Sequence, residues 1–304
     1  MTHPSVAGIS RLPGPVAWVF TGGGARAAAQ VGMAEVLLEQ GLTADLLVGS
    51  GTGAINATAL IEPTVTLRPL RQTWQAIGTE SALESLGAAA VRAFSARRTG
   101  RSTREYREIL AGAVPGDPQR EIPQRLRLVA SDLVSGRPVV LTEGPLLAAL
   151  AGAAGLPLIF QPLERDGMFL VDGSLTAAAP LDQALAAGAG SIVLFDTGAS
   201  AVAQDSVPHL RWWQMAALAY SHQVRGQLGH ALMRTAARVP VVTFTTSEGA
   251  QFDFTQPDEL FAAGRSAAST ALAHGLGSEL TGQPGIFGVP LGYEQDPRLV
   301  DLIR

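Results

Sequence analysis

The chain has 304 residues, of which 47% are hydrophobic and 16% are charged, and this composition is typical of a globular protein with a substantial core. It contains neither Cys nor Lys, so all 22 basic residues are Arg. Disulfides, thiolate nucleophiles, Cys-ligated metals, Schiff-base chemistry and Walker A phosphate loops are therefore excluded. The formal net charge of −4 argues against a nucleic-acid-binding protein.

The N-terminus and the most apolar segment predict neither export nor a membrane span. Residues 1–15 hold one Arg and three prolines, and they lack the basic start and continuous apolar stretch of a secretory signal. Residues 145–160 are interrupted by Gly152, Gly155 and Pro157, and they fall short of the ~20 apolar residues that a membrane-spanning helix needs. We therefore expect a soluble, cytoplasmic protein.

Two units of strand, glycine turn and helix follow each other near the N-terminus. Each begins with a short apolar run, which predicts a buried strand, and continues into residues that favour a helix. The predicted strands are 16–20 and 45–48, the glycine turns 22–24 and 49–53, and the helices 25–40 and 54–61.

Further strands and helices alternate along the rest of the chain. We predict strands over 125–130, 138–142, 168–171 and 191–196, and helices over 66–77, 81–93, 146–151, 181–187, 210–228 and 257–274. This alternation indicates an α/β fold with a mostly parallel sheet covered on both faces. We expect a core over residues 16–200 and a C-terminal helical extension over 201–304 that packs on it. Trp212, Trp213, Met215 and Tyr220 fall on one predicted helix and are most simply core packing, and the alternative is an exposed set that suits a membrane surface.

An Arg-rich segment lies between Arg92 and Arg107. It contains six Arg residues, opposed only by Glu105. Such a segment is most simply a solvated loop and helix start, and the alternative is a lid or a contact for an anion or a phospholipid headgroup. The five histidines are scattered without metal-ligand spacing, so neither a metal nor another cofactor is expected.

Three consecutive glycines, Gly22, Gly23 and Gly24, separate the first strand from its helix. Backbone N–H groups at such a place can bind a phosphate or the oxyanion of an acyl-transfer intermediate. The run also fits a relaxed dinucleotide fingerprint ending at Ala27, so nucleotide binding is an open alternative. A dinucleotide fold, however, favours an acidic residue at the end of the second strand, and here Asp45 begins it.

The second glycine turn has the pattern of a nucleophile elbow without its nucleophile. Gly49, Ser50, Gly51, Thr52 and Gly53 lie between a strand and a helix, where small residues permit the strained turn of a G-x-S-x-G motif. The central position is Gly51, which has no side chain to attack an ester. Ser50 and Thr52 bring hydroxyl groups next to it, although flanking side chains in an elbow point away from its apex.

Together with later motifs, these two turns resemble the patatin-like phospholipases, bacterial members included, in the order in which that family carries them. The matching segments are Gly22-Gly23-Gly24-Ala25-Arg26, Gly53-Ala54-Ile55-Asn56-Ala57, Ser131-Asp132-Leu133, Asp172-Gly173-Ser174 and Phe252-Asp253-Phe254. The resemblance covers residues 16–196 and the C-terminal helix. It implies a three-layer α/β/α fold with a mostly parallel central sheet, and a Ser–Asp dyad in place of a triad.

The resemblance also implies a role for each motif. The oxyanion hole would be formed by Gly22, Gly23, Gly24, Ala25 and Arg26, the elbow by Gly49, Ser50, Thr52 and Gly53 around Gly51, and the base turn by Asp172 as general base with Gly173 and Ser174.

Departures from the family's pattern cluster at these positions. Gly51 stands where the family has its nucleophilic Ser, Ala27 replaces the last glycine of the oxyanion loop, and Ser174 replaces a Gly or Ala. The segments 151–154 and 176–178 depart as well. We therefore expect a member of a lipid-metabolising hydrolase family that is catalytically impaired and acts as an acyl-lipid binder or sensor.

The expected partner is an acyl lipid or phospholipid, with peripheral contact to a membrane surface and no contact with nucleic acid. The enzymatic alternative is a weakly active esterase or phospholipase A that uses Ser50, Thr52 or a water molecule activated by Asp172.

Overall fold

The computed structural model describes residues 8–62, 67–79, 103–155, 160–198, 209, 212–276, 282–288, 293–294 and 296–304. Within these residues, one sheet is built from the nine strands β1 (Val16–Phe20), β2 (Leu46–Ser50), β3 (Leu126–Asp132), β4 (Arg137–Leu141), β5 (Leu163–Arg165), β6 (Met168–Asp172), β7 (Ser191–Asp196), β8 (Pro240–Thr245) and β9 (Gly285–Phe287). Their order is β5-β6-β3-β2-β1-β7-β8-β9, and β4 also pairs with β3. The run from β3 to β9 is parallel, whereas β4, β5 and β6 pair antiparallel.

The helices in the described part of the chain are α1 (Ala28–Glu39), α2 (Gly53–Ala59), α3 (Arg68–Thr79), α4 (Thr103–Ala111), α5 (Leu146–Ala154), α6 (Ser174–Ala177), α7 (Leu181–Ala186), α8 (Trp212–Ala236) and α9 (Pro257–Ala273). Short 3₁₀ turns cover Gly24–Ala27 and Val300–Leu302. Buried residues of α1, α2, α3, α5 and α9 pack on one face of the sheet, and those of α7 and α8 pack on the other. The predicted three-layer α/β/α fold with a mostly parallel sheet is therefore confirmed.

Strand β1 shows why an uninterrupted apolar run suits the centre of this sheet. Trp18 and Phe20 point into the larger core cluster, whereas Ala17 and Val19 point into the cluster on the opposite face. Successive side chains of a strand alternate between faces, so a strand covered on both sides needs apolar residues throughout. The ring of Phe20 stacks on that of Phe195 in β7, with centroids 4.5 Å apart.

The sheet register brings the predicted motifs to one edge. Ser50, the last residue of β2, is paired with Val129 of β3, and the next residue of β3, Ala130, is paired with Asp172 of the antiparallel β6. Gly51 and Asp172 therefore approach the same point of β3 from its two sides. The end of β1 lies beside the end of β7, because Phe20 is paired with Phe195. Such a carboxyl edge is where α/β sheets usually bind ligands.

Several elements differ from their predicted form. The strands β5, β8 and β9 and the helices α4 and α6 were not predicted. Because β8 and β9 belong to the main sheet, residues 201–304 contribute strands to it as well as helices. A domain boundary near residue 200 stays a prediction. Met215 is 49% exposed rather than packed in the core.

The helix predicted over 81–93 and residues 92–102 of the Arg-rich segment lie outside the described residues, as do the side chains of Trp212 and Trp213. Of the helices that the structure describes, none combines the length and apolarity required to cross a membrane.

Candidate functional site

The elbow between β2 and α2 has the tight geometry that its glycines predict. Gly51 adopts a φ of +54°, in the left-handed region that favours glycine. A Cβ atom on Gly53 would lie 2.5 Å from the carbonyl oxygens of Phe20 and Thr21, and one on Gly49 would lie 2.7 Å from the oxygen of Gly53. The strand, the turn and the glycine loop therefore pack so closely that side chains are excluded at Gly49 and Gly53.

The two hydroxyl groups beside Gly51 are both engaged with backbone carbonyls. Ser50 is fully buried, and its Oγ donates to the carbonyl of Ala178 at 3.2 Å. Thr52 is partly buried, and its Oγ1 donates to the carbonyl of Gly24 at 3.0 Å. Thr52 thus holds the elbow against the glycine loop, whereas Ser50 points away from the site.

Asp172 ends β6 and is held in place by the residue two positions later. It is 4% exposed, and its Oδ1 accepts hydrogen bonds from the Ser174 amide, at 2.8 Å, and from the Ser174 hydroxyl. Burial raises the pKa of the Asp172 carboxyl above its usual range, and the two hydrogen bonds from Ser174 oppose this shift. The backbone carbonyl of Asp172 accepts a hydrogen bond from Ser131 Oγ at 2.9 Å, which fixes the base turn to β3.

Gly51, Asp172 and Ser174 meet at one point. A Cβ atom built on Gly51 would lie 2.7 Å from Asp172 Oδ1, 2.8 Å from Ser174 Oγ and 3.3 Å from Ser174 Cβ. Contacts below 3.0 Å require one of the partners to move, and here the carboxylate is held by two hydrogen bonds. The space into which a side chain at position 51 would project is therefore occupied by the Asp172 carboxyl and the Ser174 hydroxyl.

The glycine loop presents only part of its backbone to a ligand. The Ala25 N–H donates to the carbonyl of Gln251 at 2.7 Å, and the Gly22 N–H donates to a carbonyl that follows the base turn. For the N–H groups of Gly23 and Gly24, the described residues provide no acceptor. These two groups are the donors that an anion at the loop could use.

A buried polar network supports this loop, and sequence analysis missed it. The side-chain amide of Gln30 in α1 donates to the carbonyls of Thr21, at 2.9 Å, and Phe195, at 3.0 Å. Asn56 in α2 donates to the side chain of Gln30 at 2.8 Å and accepts from Trp74 Nε1 at 2.9 Å. Gln30 lies among the apolar residues of 28–31 and Asn56 among the small and apolar residues of 53–57, and this contrast was the signal available in the sequence.

A cavity opens directly beside Asp172 and Ser174, and we call it the Asp172 cavity. Its empty volume is about 520 Å³, open solvent at the mouth included. Its polar lining consists of Gly24, Thr52, Asp172, Ser174, Tyr220 and Gln251, and its apolar lining of Ile55, Ile77, Ala154, Phe160, Phe252 and Phe254. The predicted base turn, elbow and glycine loop therefore contribute to one cavity with a predominantly apolar wall.

Tyr220 enters this cavity from helix α8, which sequence analysis had treated as core packing. Its hydroxyl is buried next to the hydroxyl of Ser174. Burial, and next the negative charge of Asp172, raise the pKa of Tyr220, whereas the neighbouring Ser174 hydroxyl opposes the rise. The phenol is therefore a neutral donor that faces Asp172 and Ser174.

Arg26 lies apart from the other predicted oxyanion residues. Its side chain is 4% exposed and borders a second cavity, together with Asp196 and Arg225. It does not line the Asp172 cavity, where Gly24 forms the loop wall. In the described part of the chain, no group of three or more His, Cys, Asp or Glu side chains could hold a metal ion.

Comparison with known proteins agrees with this arrangement of motifs. The family model for patatin-like phospholipases matches residues 18–185, which is more than half of the chain. The chain belongs to the patatin-like phospholipase family. The match spans the glycine loop, the elbow and the base turn.

Similar curated proteins include mycobacterial proteins that are longer than the matched segment. Uncharacterized NTE family proteins of Mycobacterium tuberculosis and Mycobacterium bovis are 27% identical over 170 residues, which cover 55% of this chain and 44% of each relative. A second such protein of Mycobacterium bovis is 24% identical over 178 residues, covering 59% of this chain and 29% of the relative. The chain thus spans less than half the length of these relatives.

Among solved structures, VipD from Legionella pneumophila aligns with a TM-score of 0.38 and 11% identity, over 85% of this chain and 66% of VipD.

Proposed function

We propose that this chain binds acyl lipids in the Asp172 cavity and that it has lost ester hydrolysis by a nucleophilic serine at the elbow. The observation that carries the proposal is the position of the Ser174 hydroxyl, which lies with the Asp172 carboxyl in the space beside Gly51 and donates a hydrogen bond to that carboxyl. Gly51 is thus matched by a second change in the base turn, as expected when a site has adapted to the absence of a serine. In a triad hydrolase, loss of the serine costs about 10⁶ in kcat.

The walls of the cavity support an acyl ligand. Ile55, Ile77 and Phe254 provide an apolar surface, and each methylene group that leaves water for such a surface gains about 0.8 kcal/mol. Three polar side chains of the lining lie close together, because the Ser174 hydroxyl donates to Asp172 and the negative charge of Asp172 raises the pKa of Tyr220. An ester whose chain lies along the apolar wall would bring its carbonyl to these polar side chains.

Binding of a neutral lipid tests the proposal. We expect dihexanoylglycerol to bind in isothermal titration calorimetry, and Phe252→Ala to weaken binding about tenfold, which corresponds to about 1.4 kcal/mol. Phe169→Ala is the matched control, because Phe169 is 43% exposed and does not line the cavity. Absence of binding, or equal weakening by both variants, would contradict the proposal.

A second candidate function, slow ester hydrolysis, is favoured by the same hydroxyl. Ser174 Oγ already donates to Asp172, as a serine nucleophile donates to its base. Its oxygen would attack the acyl carbonyl carbon while its proton passes to Asp172, which then protonates the departing alcohol. Water would release the acid by the reverse sequence of proton transfers, with the Gly24 N–H facing the oxyanion.

Fluorophosphonate labelling followed by peptide mapping separates the two functions. Under the binding proposal the chain stays unlabelled and does not hydrolyse p-nitrophenyl butyrate. If Ser174 is a nucleophile, the adduct maps to Ser174 and Ser174→Ala abolishes it. An adduct on Ser50 or Thr52 would contradict both, because those hydroxyls donate to the carbonyls of Ala178 and Gly24.

A further inference from the structure

A second cavity lies across the glycine loop from the Asp172 cavity, and we call it the arginine cavity. Its wall includes Gly22 and Gly23 of the loop, Asp196 at the end of β7, Arg225 of α8 and the side chain of Arg26. Its empty volume is about 430 Å³ with the open mouth included. Its lining differs from that of the Asp172 cavity because it contains two guanidinium groups.

Arg26 is buried here without an acceptor. Its Nε and Nη1 atoms have no hydrogen-bond partner among the described residues, although its side chain is almost completely withdrawn from water. Burial is the main reason that the pKa of Arg26 is lowered to about 10, with Asp196 opposing and Arg225 adding to the shift. The group is therefore still charged at neutral pH. A buried charge without hydrogen bonds is among the most unfavourable arrangements in a protein.

The carboxylate of Asp196, which lies near Arg26, already accepts hydrogen bonds from other donors. Asp196 Oδ1 accepts from Arg225 Nη1 at 2.6 Å, and Oδ2 accepts from Thr245 Oγ1 at 2.9 Å and from the Gly198 N–H at 3.2 Å. Arg225 is further held by Tyr293, whose ring centroid lies 4.7 Å from the guanidinium carbon. The carboxylate of Asp196 thus balances Arg225, and the charge of Arg26 is left over.

We propose that the arginine cavity binds a phosphate-type oxyanion, the chemistry shared by a phospholipid headgroup and inorganic phosphate. Arg26 would donate from one edge of its guanidinium, either Nε with Nη2 or Nη1 with Nη2, and such an edge matches two oxygens of a phosphate. Gly23, whose N–H has no acceptor in the described structure, forms the adjoining wall. Assignment to a headgroup rests on the proposed acyl-binding function, whereas the oxyanion site itself does not.

Titration with inorganic phosphate, against chloride at equal ionic strength, tests the site in the full chain. We expect saturable binding by calorimetry and at least tenfold weaker binding by Arg26→Met. Arg234→Gln is the control, because it also removes one positive charge from helix α8, at an exposed ion pair with Asp182. This variant should bind phosphate like the wild type. Without phosphate, Arg26→Met should melt at a higher temperature than the wild type, because it removes a buried, unpartnered charge.

Three outcomes would overturn the proposal: no saturable response to phosphate, equal affinity in Arg26→Met, or a lower melting temperature of that variant without phosphate. A lower melting temperature would indicate that Arg26 stabilises the loop structurally.

Dihexanoyl phosphatidic acid distinguishes the source of the oxyanion. Affinity at least tenfold above that of phosphate, lost in both Arg26→Met and Phe252→Ala, supports a headgroup in the arginine cavity and a chain in the Asp172 cavity. Equal affinities would overturn the headgroup assignment and support a free-phosphate site. Binding of dihexanoylglycerol without any phosphate response would uphold the proposed function and overturn this inference.

Discussion

The Asp172 cavity and the arginine cavity share the glycine loop and Gln251, yet they offer opposite environments to a ligand. In the first, a carboxyl and a phenol lie among apolar side chains, and burial raises the pKa of both. In the second, a guanidinium stays charged at neutral pH although burial lowers its pKa. One loop thus separates an apolar, weakly acidic compartment from a cationic one. A ligand with a chain and an anionic group, joined near an ester, would match both.

The largest expected effect concerns the Asp172 cavity alone. Gly51→Ser by itself should hydrolyse p-nitrophenyl butyrate no faster than the wild type, because the new Cβ would lie within 3.0 Å of Asp172 and Ser174. Combined with Ser174→Gly, which frees the carboxylate and the space, it should raise kcat/KM by about 10² or more. Ser174→Gly alone is the control. Activity of the single Gly51→Ser variant equal to that of the double variant would show that Ser174 does not block the position.

An intermediate effect should reach both cavities, because they share the loop. Asn56→Ala removes the acceptor of the Trp74 indole N–H and the donor to Gln30 Oε1. Each buried polar group left without a partner costs about 1–3 kcal/mol. We expect a loss of this size in urea denaturation, together with weaker binding of dihexanoylglycerol and of phosphate. Gln75→Ala, which removes an exposed hydrogen bond to Asp258, should change stability by less than about 0.5 kcal/mol. Unchanged affinity in Asn56→Ala would show that the network does not position the loop.

The smallest effect is a pH dependence that distinguishes the carboxyl of the Asp172 cavity from a carboxyl that lines neither cavity. Because burial raises the folded-state pKa of Asp172, the folded protein retains a proton that the unfolded chain has released between the two pKa values. The free energy of unfolding therefore falls as pH rises through that interval, and Asp172→Asn should remove this fall.

Asp132 provides the contrast, because hydrogen bonds from Ser135 lower its pKa. The contribution of Asp132 to the free energy of unfolding is present above its unfolded-state pKa and is lost as pH falls through its folded-state pKa. Asp132→Asn should therefore remove this loss of stability in acid. Urea denaturation across the acidic to neutral range measures both slopes. The same sign for the two variants would contradict the assigned environments.

Much of the site could be predicted because its motifs are local. The glycine spacing around position 51 and the Asp172-Gly173-Ser174 turn are readable in a single sequence, since the backbone conformations they need are confined to a few residues. The order of the motifs indicated the family, and the family match and the α/β/α fold confirmed that interpretation. Strand β8 was missed because its apolar run follows a long helix without a glycine turn.

Side chains that arrive from distant elements could not be predicted in the same way. Tyr220 and Arg225 lie on one helix about a turn and a half apart, and nothing in their spacing indicates that one enters the Asp172 cavity and the other pairs with Asp196. Ser174 was noted only as a departure from the family pattern. Its meaning depends on the distance to Gly51, which the pairing of β2 and β6 with β3 determines.

The sequence by itself determined the class of fold, the family, and the positions at which backbone strain and close packing require glycine. It did so because strand periodicity and turn conformation depend on neighbouring residues. Only the tertiary structure decided that the Ser174 hydroxyl and the Asp172 carboxyl occupy the space beside Gly51. It also decided that Arg26 is buried away from Asp172, with its Nε and Nη1 lacking an acceptor among the described residues. Both depend on contacts between residues more than 120 positions apart along the chain, which sheet register and helix packing establish together.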